Sequence, residues 1–337
     1  MGPRILATLA VTAVAAAGCS SSQSPNEMIR NISVVGTQVG AATTTTWDGT
    51  VTVDIVPLDE HGRAVLDGGY SVTASVVSPT GVSATVVGTS CVKSIERKAL
   101  AAGVFIDDSS SMAASDPDAN GVVAPGRKAT ALRLINALQP GDEMLLADFF
   151  GTSQEPLRDL LCAVTQGNDG ACLATAESFT SDKALLQQAT DIVQNYYLTP
   201  IFEACTEMSA LLSTQSQPRH AMILLSDGLP NNETARTACL DKARERNTVI
   251  YTIGFGKADV VTLRNLAEAT GGSYAAATDE AAVDRMIQYM SYSLGSCAVT
   301  LRLSGVDQIA SEMPVTLDLV VGASGAQTTF EFLTPRP

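Results

Sequence analysis

Asp107, Ser109 and Ser111 place one carboxylate and two hydroxyls at alternate positions of a single turn, directly after the apolar run Val104-Phe105-Ile106. Oxygen donors of this kind suit a hard divalent cation, and the hydroxyls can coordinate it while remaining neutral. The register follows from the chemistry. Counting from Asp108 would put Ser110 and Met112 in the ligand positions, and a thioether does not suit such a cation. Two later residues have the same character. Thr199 precedes Pro200 in Tyr197-Leu198-Thr199-Pro200-Ile201-Phe202-Glu203, which predicts a threonine at a helix start and proline at the first helical position, where its missing N–H costs nothing. Asp227 follows Met222-Ile223-Leu224-Leu225-Ser226 and precedes Gly228, so it stands to its apolar run as Asp107 stands to the first.

The elements that must position these residues lie between about 98 and 296, where strand-like apolar runs alternate with helical periodicity, the α/β signature. Strands are expected at 100–106, 143–150, 221–226, 249–255 and 273–276, and helices at 127–138, 183–195, 200–213, 234–246, 260–269 and 280–294. The expected fold class is α/β, a doubly wound and mostly parallel sheet. In a sheet of order 3-2-1-4-5-6 the ligand crevice opens at the carboxyl ends of strands one and four, where both aspartates would meet. Residues 29–96 have a different texture, with short alternating segments such as Thr50-Val51-Thr52-Val53 broken by Gly and Pro, and 297–337 repeats it. The two pieces together make about a hundred residues, the size of one β-sandwich. The expected organisation is therefore a signal peptide at 1–18, a modified cysteine and linker at 19–28, and a sandwich of 29–96 plus 297–337 that carries 98–296 as an insert.

With D-x-S-x-S, T and D in order on these elements, the central region resembles the von Willebrand factor A domain family and its metal-ion-dependent adhesion site. Val249-Ile250-Tyr251-Thr252-Ile253-Gly254-Phe255-Gly256 and Thr270-Gly271-Gly272-Ser273-Tyr274 are also similar to segments of that family. The resemblance implies a Mg²⁺, with Mn²⁺ or Ca²⁺ as substitutes. It would be bound by Ser109, Ser111 and Thr199, with Asp107 and Asp227 direct or through water. One coordination position would be left for an acidic side chain of a protein ligand.

The chain opens with Arg4, an apolar stretch from Ile5 to Ala17 and then Gly18-Cys19 before a polar run, which reads as a secretory signal too short to span a bilayer. The stretch Ala16-Ala17-Gly18-Cys19 resembles a bacterial lipobox, although Ala16 stands where Leu is commoner. Lipidation of Cys19 would tether the protein to a membrane, with an outer-membrane or cell-surface location. Six further cysteines, at 91, 162, 172, 205, 239 and 297, form an even set in an exported chain, so disulfides are expected. Cys162 with Cys172 would close a short loop, Cys91 with Cys297 would clasp the junction of the domains, and Cys205 with Cys239 would remain. Sequence leaves that connectivity open.

Net charge is −14, which makes nucleic acid a poor partner. Catalysis is not expected. A phosphatase with an aspartate nucleophile needs a second Asp where Ser109 stands. A serine hydrolase needs a histidine base, and the two histidines are His61, in the sandwich, and His220, before the fourth strand. Asp116-Pro117-Asp118-Ala119-Asn120-Gly121 opens like a calcium loop, but Arg127 takes the place of its closing glutamate, so a turn-rich loop at 113–126 is expected. The function expected is a metal-dependent adhesion or receptor-like module on a lipoprotein. The alternative is a cell-envelope assembly component that docks without metal-mediated capture.

Overall fold

The computed structural model describes residues 28–40, 47–60, 64–66, 70–92, 97–116, 126–149, 156–166, 175–192, 198–228, 230, 232–292, 296–306 and 312–335. The signal stretch, Cys19 and its linker to residue 27, His61, Cys172 and loop positions 117–125 lie outside the described residues. Among the described residues no helix is long and apolar enough to cross a membrane.

The chain first forms β1 (Asn31–Val39), β2 (Thr50–Leu58), β3 (Val72–Ser78) and β4 (Ser83–Cys91). In β2 the alternation of the sequence becomes alternation of burial, with Val51, Val53 and Ile55 inside and Thr52 and Asp54 between them half-exposed. The chain then leaves this body and builds an α/β sheet. Its strands are β5 (Leu100–Asp107), β6 (Glu143–Phe149), β7 (Arg158–Asp159), β8 (Arg219–Ser226), β9 (Thr248–Gly254) and β10 (Tyr274–Ala276), in the order β10-β9-β8-β5-β6-β7. Counted within the domain, that is the expected 3-2-1-4-5-6. All pairings are parallel except that of β7, a two-residue strand antiparallel to β6 that no hydrophobic run announces.

Helices α1 (Met112–Ser115), α2 (Arg127–Ala137), α3 (Leu160–Gln166), α4 (Lys183–Ala189), α5 (Ile201–Leu212), α6 (Arg236–Glu245), α7 (Val260–Glu268) and α8 (Glu280–Tyr292) accompany this sheet. Central strand β5 is buried along its whole length, as a parallel strand covered on both faces must be. Leu100, Ala102, Val104 and Ile106 enter one core with α2 and α8, whereas Ala101 and Phe105 enter the other with α5 and α7. Gly103 has a packing reason: a Cβ there would lie 2.4 Å from the sulfur of Met208, so glycine lets α5 lie close on β5. Two expected helices are shorter than the periodicity suggests. The segment after Ala189 tightens to a 3-10 turn, Thr190–Ile192, and Glu233–Ala235 forms another before α6.

The chain returns as β11 (Cys297–Ser304), β12 (Pro314–Val321) and β13 (Ala326–Leu333). β11 inserts between β2 and β4 in a four-stranded sheet of order β1-β2-β11-β4, while β12 lies between β13 and β3. The two sheets share one core, including Val51, Val53, Val299, Leu301, Leu317 and Leu319. Cys91 and Cys297 are register partners on β4 and β11 and are joined by a disulfide, so the strands are bridged where the chain leaves and re-enters the sandwich. A second disulfide, Cys205–Cys239, joins α5 to α6, and Cys162 is also disulfide-bonded. Between the two bodies, Leu333 N–H donates to the buried Glu268 carboxylate (3.1 Å), Arg236 pairs with Glu312 (2.6 Å) and Arg264 pairs with Glu331.

Candidate metal centre

β5 and β8 lie side by side with Ile106 opposite Leu225, so their carboxyl ends deliver Asp107 and Asp227 to the same edge of the sheet. Asp107 is fully buried. One of its oxygens accepts from Ser109 N–H at 2.9 Å, the other from the Ser226 hydroxyl. Burial pushes its carboxyl up to about 6; hydrogen bonds from Ser109 and Ser226 oppose the rise, and the negative charge of Asp227 adds to it. The Ser109 and Ser111 hydroxyl oxygens lie 3.1 Å apart. The D-x-S-x-S turn thus gathers its three oxygen groups at one place.

Asp227 is also fully buried. Its Oδ2 accepts from the Ser115 hydroxyl at 3.3 Å, and its Oδ1 is buried without a hydrogen-bond partner. Gly228 follows with φ +72°, and a Cβ there would meet Leu263, so the turn that ends β8 requires glycine. Thr199 is buried just ahead of α5. The structure corrects the helix start by one residue. Pro200, with ψ 56°, is not helical and occupies the N-cap, so Ile201 and not Pro200 is the first helical residue.

Ser115 and Ser226 escaped sequence reasoning. Each hydroxyl bonds a carboxylate more than a hundred residues away, and only the position of Ser226, last in its strand, offered a signal. Gly256, at φ +57°, comes so close that a Cβ would lie 2.8 Å from the Ser115 Cα, which fixes the turn after β9 over that serine.

Asp108 faces away from this cluster into a chain of charges. Arg127 Nη1 lies 3.5 Å from it and Arg158 Nη2 3.8 Å, while Arg158 also holds Asp148. Arg127 further donates to the backbone oxygen of Asp107 and pairs with Asp116 through Nε, and its N–H reaches Asp116 at 3.2 Å. Asp116 would open the calcium-like loop, and its two oxygens are bound by Arg127. His220 lies near the amino end of β8, far along the strand from Asp227, with its Nε2 buried and without a hydrogen-bond partner.

The donor set fits a hard divalent cation. Asp107 and Asp227 bring charge, Ser109, Ser111 and Thr199 bring neutral oxygens, and the unpartnered Asp227 oxygen is a buried anion that a cation would compensate. Among the described residues no three His, Cys, Asp or Glu side chains gather into a metal-sized group, so such an ion would depend on the hydroxyls. A cleft of about 560 Å³ lies elsewhere, between β1, α7 and β13, and none of these five residues lines it.

The family model for the von Willebrand factor type A domain matches residues 104–288. No curated protein matches the chain. Solved structures similar to it include the vWF domain of the type V pili tip protein Mfa5 from Porphyromonas gingivalis, at 13% identity over 58% of this chain and 96% of that one, TM-score 0.43. Manganese-loaded TRAP protein from Plasmodium vivax aligns at 15% identity over 80% of this chain and 100% of that one, TM-score 0.41. Proximal thread matrix protein 1 from the mussel byssus, with a zinc-occupied MIDAS motif, aligns at 19% identity over 64% and 50%, TM-score 0.43.

Proposed function

The chain belongs to the von Willebrand factor type A domain family, and from that premise we propose that it is a metal-dependent protein-binding module, of adhesion or receptor-like type, on an exported lipoprotein. Asp107, Ser109, Ser111, Thr199 and Asp227 would hold a Mg²⁺, or Mn²⁺ or Ca²⁺ in its place. When bound, the ion supplies a positive point that attracts a carboxylate of the partner. The observation that carries the reading is the buried, unpartnered oxygen of Asp227, which follows the strand next to β5 and its Asp107 turn, a carboxylate that a cation would compensate. Three of the five donors are neutral, so at most two carboxylate charges would offset the ion's two, which leaves its coordination sphere able to accept a further carboxylate on an otherwise acidic protein.

Export is supported by the signal-like stretch before Cys19 and by the Cys91–Cys297 and Cys205–Cys239 disulfides, which persist in oxidising compartments. Cys19 would carry the lipid, and the membrane would be contacted through that anchor alone. We propose no catalytic role, since the histidine nearest to Asp227 in sequence, His220, lies near the amino end of β8, opposite the end that carries Asp227. The test is a Mg²⁺ titration by calorimetry on chelator-treated protein, with Asp107→Ala as control. One saturable site, lost in the variant while circular dichroism is unchanged, is the expected result. Folded protein that takes up no Mg²⁺ would refute it.

A further inference from the structure

Glu203 sits in the first turn of α5, three residues after the N-cap Pro200. A glutamate at that place ordinarily reaches back to the N–H of the capping residue, satisfying one of the free donors of the helix end. Proline has no N–H to give. One Glu203 oxygen accepts instead from the Asn232 side chain, in the loop that follows Asp227, and the other is buried without a hydrogen-bond partner. Asn232 is oriented for this bond because its own oxygen accepts from Thr234 N–H (3.2 Å) and from the Thr234 hydroxyl (2.6 Å).

Helical side chains lean toward the amino end of their helix, so the Glu203 carboxyl leans toward Thr199. It therefore joins the two segments that present Thr199 and Asp227, and it keeps one acceptor to spare. Asp227 likewise keeps a buried oxygen without a partner. Two such oxygens on adjoining segments are costly in a dry site and become favourable beside a hydrated cation. Mg²⁺ retains several of its waters when protein-bound, and each water needs an acceptor.

We propose that Glu203 is a positioning residue of the metal centre, its free oxygen accepting a hydrogen bond from a water carried by the cation. This rests on the metal-binding reading above. Outer acceptors of this kind change metal affinity tenfold to a hundredfold. A purely structural role at the helix end would act on folding and leave affinity alone.

The experiment measures Mg²⁺ affinity by calorimetry and the thermal midpoint in chelator for the whole protein, Glu203→Gln and Asn232→Ala. Glu203→Gln should weaken Mg²⁺ binding about tenfold or more while its metal-free midpoint stays level or rises, because a neutral amide replaces an unpartnered carboxylate. Asn232→Ala, which cuts the link but keeps the carboxylate, should lose far less affinity. Three results would overturn the proposal: Glu203→Gln binding as tightly as the parent, Glu203→Gln losing affinity only together with metal-free stability, or Asn232→Ala losing as much as Glu203→Gln. If Glu203→Gln does not fold, Glu203→Asp serves, with the same loss expected because its carboxyl is withdrawn by one methylene. A parent protein that binds no Mg²⁺ would instead remove the metal reading itself, so the two failures are distinguishable.

Discussion

Ser226 at the end of β8 gives its hydroxyl hydrogen bond to the carboxylate of Asp107 at the end of β5, across 119 residues of sequence. The same Ser226 oxygen accepts from Gly228 N–H at 2.8 Å, so one hydroxyl orients both the anchoring aspartate and the turn that carries Asp227. Ser226→Ala should keep the fold, at a cost of about 1 kcal/mol for the lost hydrogen bond. It should weaken Mg²⁺ binding by roughly tenfold through disorientation of Asp107. Calorimetry beside Asp107→Ala checks this: an affinity equal to the parent's would deny Ser226 any part in holding the site.

The contact between the two bodies predicts a pH dependence. Burial raises the Glu268 carboxyl to about 8, opposed by the Leu333 N–H bond and by Arg264, with Glu331 adding to the rise. Unfolded, the same group titrates near 4.5. The folded state therefore holds the extra proton between those values, and its stability is fully present below about 4.5 and falls as pH rises toward 8. Glu268→Gln, neutral throughout and still able to accept from Leu333, should be more stable than the parent at pH 8 and nearly equal to it at pH 5. Thermal midpoints at the two pH values decide it, and a constant difference would mean that Glu268 does not titrate in this range.

The sandwich depends on a bridge between partners on neighbouring strands. Cys91→Ser with Cys297→Ser should lower stability by about 2–5 kcal/mol, the usual cost of removing a native disulfide from an exported domain. Non-reducing peptide mapping of the parent should recover Cys91 linked to Cys297 and Cys205 linked to Cys239. Free thiols at these four positions would contradict the pairing.

The candidate site was legible in the sequence where it rides on strong local patterns. The runs 100–106 and 221–225 are apolar throughout because these lengths of β5 and β8 are covered on both faces, and that continuity pointed to Asp107 and Asp227. Partners brought in by folding leave no such trace. Ser115 and Ser226 reach carboxylates over distances that obey no period, and Arg127 and Arg158 pair with Asp108 from the start of α2 and from β7. β7 is too short to show alternation, and Pro200 slips to the N-cap through one backbone angle. Gly271 and Gly272 lie between these extremes: the pair was visible, its reason was not.

That reason separates two adjacent glycines experimentally. Gly271 has φ +85° with open space around it, so Gly271→Ala meets only the left-handed backbone penalty of roughly 1–2 kcal/mol. Gly272 is held against β9, where a Cβ would lie 1.8 Å from the Ile250 backbone oxygen, and Thr270 beside it accepts from Ile250 N–H at 2.9 Å. Backbone cannot yield as a flexible side chain can, so Gly272→Ala must push β10 away from β9 and should cost well above 2 kcal/mol. Denaturant unfolding of the two variants measures the difference. Equal losses would mean that the turn relaxes without disturbing the sheet, and that Gly272 is conserving conformation in place of contact.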